Sequence, residues 1–180
     1  MTVCAPSDPN QLRKIIEESL DYAGPLSIRI DPGKTNIILY DADTEFKIGK
    51  AHVAEEGNDI TIIATGEMVL EAIKVHEELA KEGINVRVID MFTVKPIDKE
   101  AVLKAAAETG RIITWEDHLM QNGLGTAVAD VLTDNCVSLK SFKRFGIPQV
   151  YPGFGSAQEL YHKYGYDAEA VIKYIRETIG

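Results

Sequence analysis

Cys4 and Cys136 are the only cysteines among 180 residues, and the chain has a single tryptophan. Two thiols make no disulfide framework, and a zinc site built from cysteine alone is excluded by count. A reduced, cytoplasmic setting is therefore expected. Basic side chains are scarce as well: 19 against 28 acidic ones, for a formal net charge of −9. This balance lacks the basic face that phosphate binding needs, so no nucleic-acid partner is expected. No apolar run approaches the ~20 residues that cross a bilayer, and no membrane association is expected either. Met1 to Asp8 has neither a basic nor an apolar run, so no signal peptide is read there. Repeats and low-complexity tracts are missing. What is present is a globular composition, 45% apolar and 26% charged. The length suits one domain of good size, or one domain plus a fragment of another.

The usual signatures of chemistry are also missing. Gly123-Leu124-Gly125-Thr126 opens a helix after a strand, where free N–H groups could meet an anion. It has no third glycine at the dinucleotide spacing and no Gly-Lys-Ser/Thr, so a tight turn or close packing is the favoured reading. There is no Gly-x-Ser-x-Gly elbow, and no histidine lies near either cysteine in sequence. His52, His76, His118 and His162 are scattered, without a His-x₃-His or Cys-x₂-Cys pair, so no metal site is expected. No residue is assigned a catalytic or cofactor-binding role on these grounds.

The pattern along the chain is apolar strand, turn, amphipathic helix, turn. Asp8, Pro9 and Gln11 fit the N-cap, N1 and N3 positions of a first helix, and Leu26–Ile30 alternates like a strand. Residues 31–58 differ in texture: a turn cluster at Asp31-Pro32-Gly33, short extended pieces at 36–40 and 46–53, and a turn at 55–58. From Asp59 the rhythm is regular. Strands are expected at 60–64, 86–92, 111–115 and 137–145. Helices are expected at 68–82, 98–109, 124–133 and twice more near the end, with Ser156–Glu159 as a capping box and Asp167 as the last cap. Continuous apolar strands between helices imply a mostly parallel sheet covered on both faces. The expected fold is α/β, a three-layer αβα arrangement preceded by a partial βαβ unit. Thr65-Gly66, Phe92-Thr93 and Glu116-Asp117-His118 would then share the edge formed by the strand C-termini, where ligands or partners meet such sheets.

Glu116-Asp117-His118 is the best constellation. Two carboxylates and an imidazole beside the Gly123–Gly125 turn could perform general acid–base work. They could equally order a loop and a subunit interface through hydrogen bonds.

Several ordered motifs carry a resemblance: Asp59-Ile-Thr-Ile-Ile-Ala-Thr-Gly66, Gly83-Ile-Asn-Val-Arg-Val-Ile-Asp-Met91, Lys95-Pro-Ile-Asp98, Trp115-Glu-Asp-His118, Gly123-Leu-Gly125 and Tyr164-Gly165. Together they resemble the C-terminal domain of the transketolase family. Met1–Asp8, Leu12-Arg13 and Gly24-Pro-Leu-Ser-Ile-Arg29 resemble the last strand–helix–strand of that family's pyrimidine-binding domain. The organisation is similar to split transketolases, made as N-terminal and C-terminal subunits. The resemblance implies residues 1–31 as the end of the pyrimidine-binding domain, 32–58 as a linker, and 59–180 as the C-terminal domain.

The resemblance further implies transfer of a two-carbon ketol unit between sugar phosphates, with thiamine diphosphate and Mg²⁺ bound in the complete enzyme. This chain has no Gly-Asp-Gly and begins after the segment of the activating glutamate. It is therefore expected to bind neither cofactor alone and to support a dimer, beside an N-terminal transketolase half and a second copy of itself. Glu116, Asp117, His118, Gly123 and Gly125 become interface or loop-ordering candidates, and Arg29 a substrate-side candidate. The family often carries a second Arg where Pro32 stands, and Gly where Asn122 stands. The same domain also occurs in the β subunits of 2-oxo acid dehydrogenases, where it docks a larger complex, and in 1-deoxyxylulose-5-phosphate synthase.

Overall fold

The computed structural model describes residues 1–30 and 37–180. The turn expected at Asp31-Pro32-Gly33, the departure at Pro32 and the start of the extended piece at Asn36 lie outside the described residues. In chain order the elements are β1 (Thr2–Cys4), α1 (Pro9–Ser19), β2 (Leu26–Ile28), β3 (His52–Glu55), β4 (Ile60–Ala64), α2 (Met68–Ala80) and β5 (Val86–Asp90). They continue with β6 (Thr93–Lys95), α3 (Lys99–Thr109), β7 (Arg111–Leu119), α4 (Leu124–Asp134), β8 (Ser141–Ile147), α5 (Ala157–Tyr164) and α6 (Ala168–Ile179).

The helices begin where side-chain chemistry allows. Asp8, Asp98 and Asp167 each accept an N–H from three residues ahead, and Pro9 fills the first position of α1. Ser156 and Glu159 close the capping box of α5. Gly110 and Gly165 end α3 and α5 in the left-handed conformation that L side chains avoid.

A five-stranded sheet of order β3-β5-β4-β7-β8 forms the centre. β5, β4, β7 and β8 are mutually parallel, and β3 adds an antiparallel edge. Alternation along the strands sorts residues between two cores. Ile60, Ile62, Ile113 and Trp115 face α2 and α6; Ile63, Ile89 and Ile112 face α3 and α4. The molecule is thus a mixed α/β, mostly parallel, three-layer structure. A second sheet of order β2-β1-β6 ties the front of the chain to the main body, with β1 parallel to β2 and antiparallel to β6.

Several elements differ from the sequence reading; among them β2 ends at Ile28 and β5 at Asp90, each two residues early. β7 runs on to Leu119 instead of ending at Trp115, because pairing with β8 resumes at Leu119–Ile147 after an irregularity. β8 begins at Ser141; Val137 and Leu139 ahead of it bury by packing against the α3/α4 core without pairing. α2 stops at Ala80, two residues early, and Gly83 turns the chain with φ +79. β6 was not anticipated: three residues carry no periodicity, and their partner β1 lies some 90 positions away. The stretch read as a linker is packed where it is described. It supplies β3, and Tyr40, Phe46, His52 and Phe92 stack edge to face at 4.9–5.7 Å.

Candidate functional site

The parallel strands deliver Thr65-Gly66, Met91-Phe92 and Glu116 to one level, since Ala64 is in register with both Asp90 and Trp115. The N-terminal unit lies across this edge. Ala5 donates to Phe92 O at 2.7 Å and accepts from Gly66 N–H at 3.2 Å.

Glu116 and Asp117 diverge because neighbouring strand residues face opposite ways. Glu116 is 1% exposed, and its carboxylate accepts the N–H of Leu124 at 2.7 Å and of Gly125 at 2.8 Å. It therefore caps α4, whose N-cap Gly123 has no side chain to do so. Burial pushes the Glu116 carboxyl above the ordinary glutamate value, and the two N–H donors pull it partly back. Gly123 and Gly125 make the approach possible. A Cβ on Gly123 would overlap Glu116 Oε2, and one on Gly125 would lie 2.6 Å from Arg144 Cδ.

Asp117 turns toward the α5/α6 side. Its Oδ1 accepts from the Tyr166 hydroxyl at 3.2 Å; its carbonyl accepts from Arg29 Nη2 at 2.6 Å, with Oδ2 at 3.7 Å from the same nitrogen. Tyr161 donates a short hydrogen bond to Glu67 beside it. Burial and these carboxylates hold both phenols well above the usual tyrosine range. His118 is exposed, with Nδ1 3.0 Å from Leu119 O. The two carboxylates and the imidazole thus form no acid–base relay: one carboxylate caps a helix, the other binds Arg29 and Tyr166, and the ring faces outward.

The space among Arg29, Gly66, Glu67 and Asp117 is about 10 Å³, room for one water at most. Two carboxylates border it. It does not fit a diphosphate, and no step of a reaction is routed through it. Among the described residues, His162, Asp167 and Glu169 bring metal-ligand atoms within 4.8 Å of one another. Asp167 is already committed there, to the N–H of Ala170 and to His162 Nδ1 at 2.7 Å.

The sequence reading missed a buried polar cluster. Asp90, fully inaccessible, accepts on Oδ2 from Ser7 Oγ at 2.6 Å, Gln11 Nε2 at 2.8 Å and Tyr40 Oη at 2.8 Å. The available signal was a carboxylate inside the apolar run from Val86 to Phe92.

Known proteins share this fold. The family model described as "Transketolase, C-terminal domain" matches residues 49–171, more than half of the chain. The chain is 38% identical over 179 residues to an apulose-4-phosphate transketolase subunit of Phocaeicola vulgatus, covering 99% of this chain and 56% of that protein. It is 36% identical over 178 residues to "1-deoxy-D-xylulose-5-phosphate synthase" of Heliobacterium modesticaldum, covering 98% of this chain and 27% of that protein. A solved structure described as "Split gene transketolase, inactive beta4 tetramer" superposes with a TM-score of 0.90 at 34% identity, covering 99% of this chain and 58% of that one. The chain spans about half the length, or less, of the curated relatives it matches.

Proposed function

Because the chain belongs to the family of transketolase C-terminal domains, we propose that it is the C-terminal portion of a split transketolase whose chemistry resides in segments supplied from elsewhere. The carrying observation is a similarity to a transketolase subunit that runs over 99% of the chain, the front included. On this reading residues 1–31 are the end of a pyrimidine-binding domain, 32–58 join it to the body, and 59–180 are the C-terminal domain. The complete enzyme uses thiamine diphosphate and Mg²⁺ for ketol transfer between sugar phosphates, and this chain alone binds neither. Its partners are an N-terminal transketolase half and a second copy of itself, in the cytoplasm.

Physical support comes from what the strand-end edge does with its polar groups. Glu116, Asp117 and Arg29 order α4, the link between α5 and α6 and the N-terminal unit, and leave no open basic pocket for a phosphate among themselves. A rigid α/β body of this kind suits a subunit that holds two chains together by buried area, at roughly 25 cal/mol per Å² of apolar surface. No helix among the described residues is long and apolar enough to cross a membrane.

The test is an assay of the pure chain with thiamine diphosphate, Mg²⁺, a ketose phosphate donor and an aldose phosphate acceptor. The expected result is no turnover alone, and turnover once the missing segments are supplied in trans. Robust turnover by the chain alone would overturn the reading.

A further inference from the structure

Asp90 sits where three parts of the molecule meet. Ser7 lies just ahead of α1 and Gln11 lies on it, Tyr40 comes from the stretch before β3, and Asp90 ends β5 of the main sheet. All three donors converge on Oδ2, while Oδ1 is buried with no hydrogen-bond partner among the described residues. No Lys or Arg among the described residues offsets the charge. The nearest acidic neighbour is Asp8, which caps Gln11 N–H and also accepts the N–H of Leu39 and Tyr40 at 3.0 and 3.1 Å. His52, opposite Asp90 on β3, is the one imidazole beside it, and burial lowers its pKa. From β4 the register partner is the uncharged Ala64.

We propose that Asp90 is a proton-controlled latch between the N-terminal β1-α1-β2 unit and the central sheet, closed firmly when its carboxyl is neutral and looser when it is charged. The physical reason is the imbalance at this carboxylate. An ionised Asp90 keeps three donors but stays buried near a second carboxylate, with no cation among the described residues; opening the unit hydrates it. Neutral Asp90 has no such drive to open. Burial accordingly pushes its pKa up to about 6 from 3.8. A carboxyl raised in the closed form stabilises that form at low pH, and the contribution is lost as pH rises through about 6. His52 acts with the opposite sign, since a lowered imidazole favours the closed form at higher pH. Because Arg29 directly follows β2 of this unit, the latch also governs how firmly Arg29 is held against Asp117 at the strand-end edge.

Amide hydrogen exchange on the full chain tests this, with rates normalised to the intrinsic pH dependence. Opening of α1 and β2, relative to α2, should rise from about pH 5 to about pH 7.5 by up to about tenfold, the factor that a shift between 3.8 and about 6 at Asp90 sets before the opposing His52 contribution. Asp90→Asn should flatten that ratio. Tyr40→Phe removes a donor to the charged form and should move the midpoint to higher pH, which keeps the test alive if the Asn variant does not fold. A flat ratio in the parent chain, an unchanged slope in Asp90→Asn, or an unmoved midpoint in Tyr40→Phe would each overturn the latch.

Discussion

Glu116 and Gly123 are matched: the carboxylate that caps α4 occupies the space that any side chain at position 123 would take. The helix start is therefore built from two positions seven residues apart, one supplying the acceptor and the other the room for it. Gly123→Ala should expel the carboxylate, leave the N–H groups of Leu124 and Gly125 without their acceptor, and cost about 2 kcal/mol or more. Chemical denaturation checks this; a loss under about 0.5 kcal/mol would show that the site relaxes freely.

Glu116→Gln tests the charge separately from the shape. Burial raises the Glu116 pKa, so its favourable contribution is present below the ordinary value of 4.5 and is lost as pH rises through the raised value. The Gln variant should show a flatter stability–pH curve from 4.5 upward, at a cost of about 1 kcal/mol near neutrality from one mismatched amide hydrogen. A curve parallel to that of the parent chain would contradict it.

Besides an ion pair with Lys50 at 3.8 Å, Asp98 has two hydrogen-bonding duties. It caps α3 through Ala101 N–H at 3.2 Å and accepts Ala51 N–H at 3.0 Å from the stretch before β3. Asp98→Ala should therefore exceed the usual effect of a lost cap, about 1 kcal/mol, and fall nearer 2 kcal/mol. Thermal melting with and without Asp98→Asn, which keeps an acceptor, separates the two duties.

Aromatic residues divide sharply by position. Tyr151 and Phe154 are fully exposed, whereas Phe92 is 1% exposed within the ring cluster. Tyr151→Ser and Phe154→Ser should leave stability within about 0.5 kcal/mol, while Phe92→Ala should cost about 3–5 kcal/mol. Denaturant midpoints compared at constant slope provide the measurement.

Much of the fold was legible locally. The caps at Asp8, Asp98, Ser156 and Asp167 could be read because a capping side chain bonds a backbone group only two or three residues away, so its signal is contained in a short window. The parallel strands β4, β5 and β7 were readable as buried apolar runs; β8 is only partly buried, and β7 and β8 have other limits than those read, since pairing partners and not composition set strand limits. The candidate site was legible only as a cluster of residue types. Whether Glu116 and His118 act together depends on which way each side chain points and what meets it, and those neighbours come from α4, β8 and the end of β7 itself.

The sequence by itself determined the alternation of strands and helices, the helix starts and the globular, acidic character, because these follow from periodicity, composition and short-range hydrogen bonds. The tertiary structure alone decided the rest. It brought Ser7, Gln11 and Tyr40 onto Asp90 across separations of 50 to 83 residues, set Arg29 against Asp117, and joined β1 to β6. No local preference encodes such contacts; they exist because burying the apolar faces of distant segments forces their few polar groups to find one another.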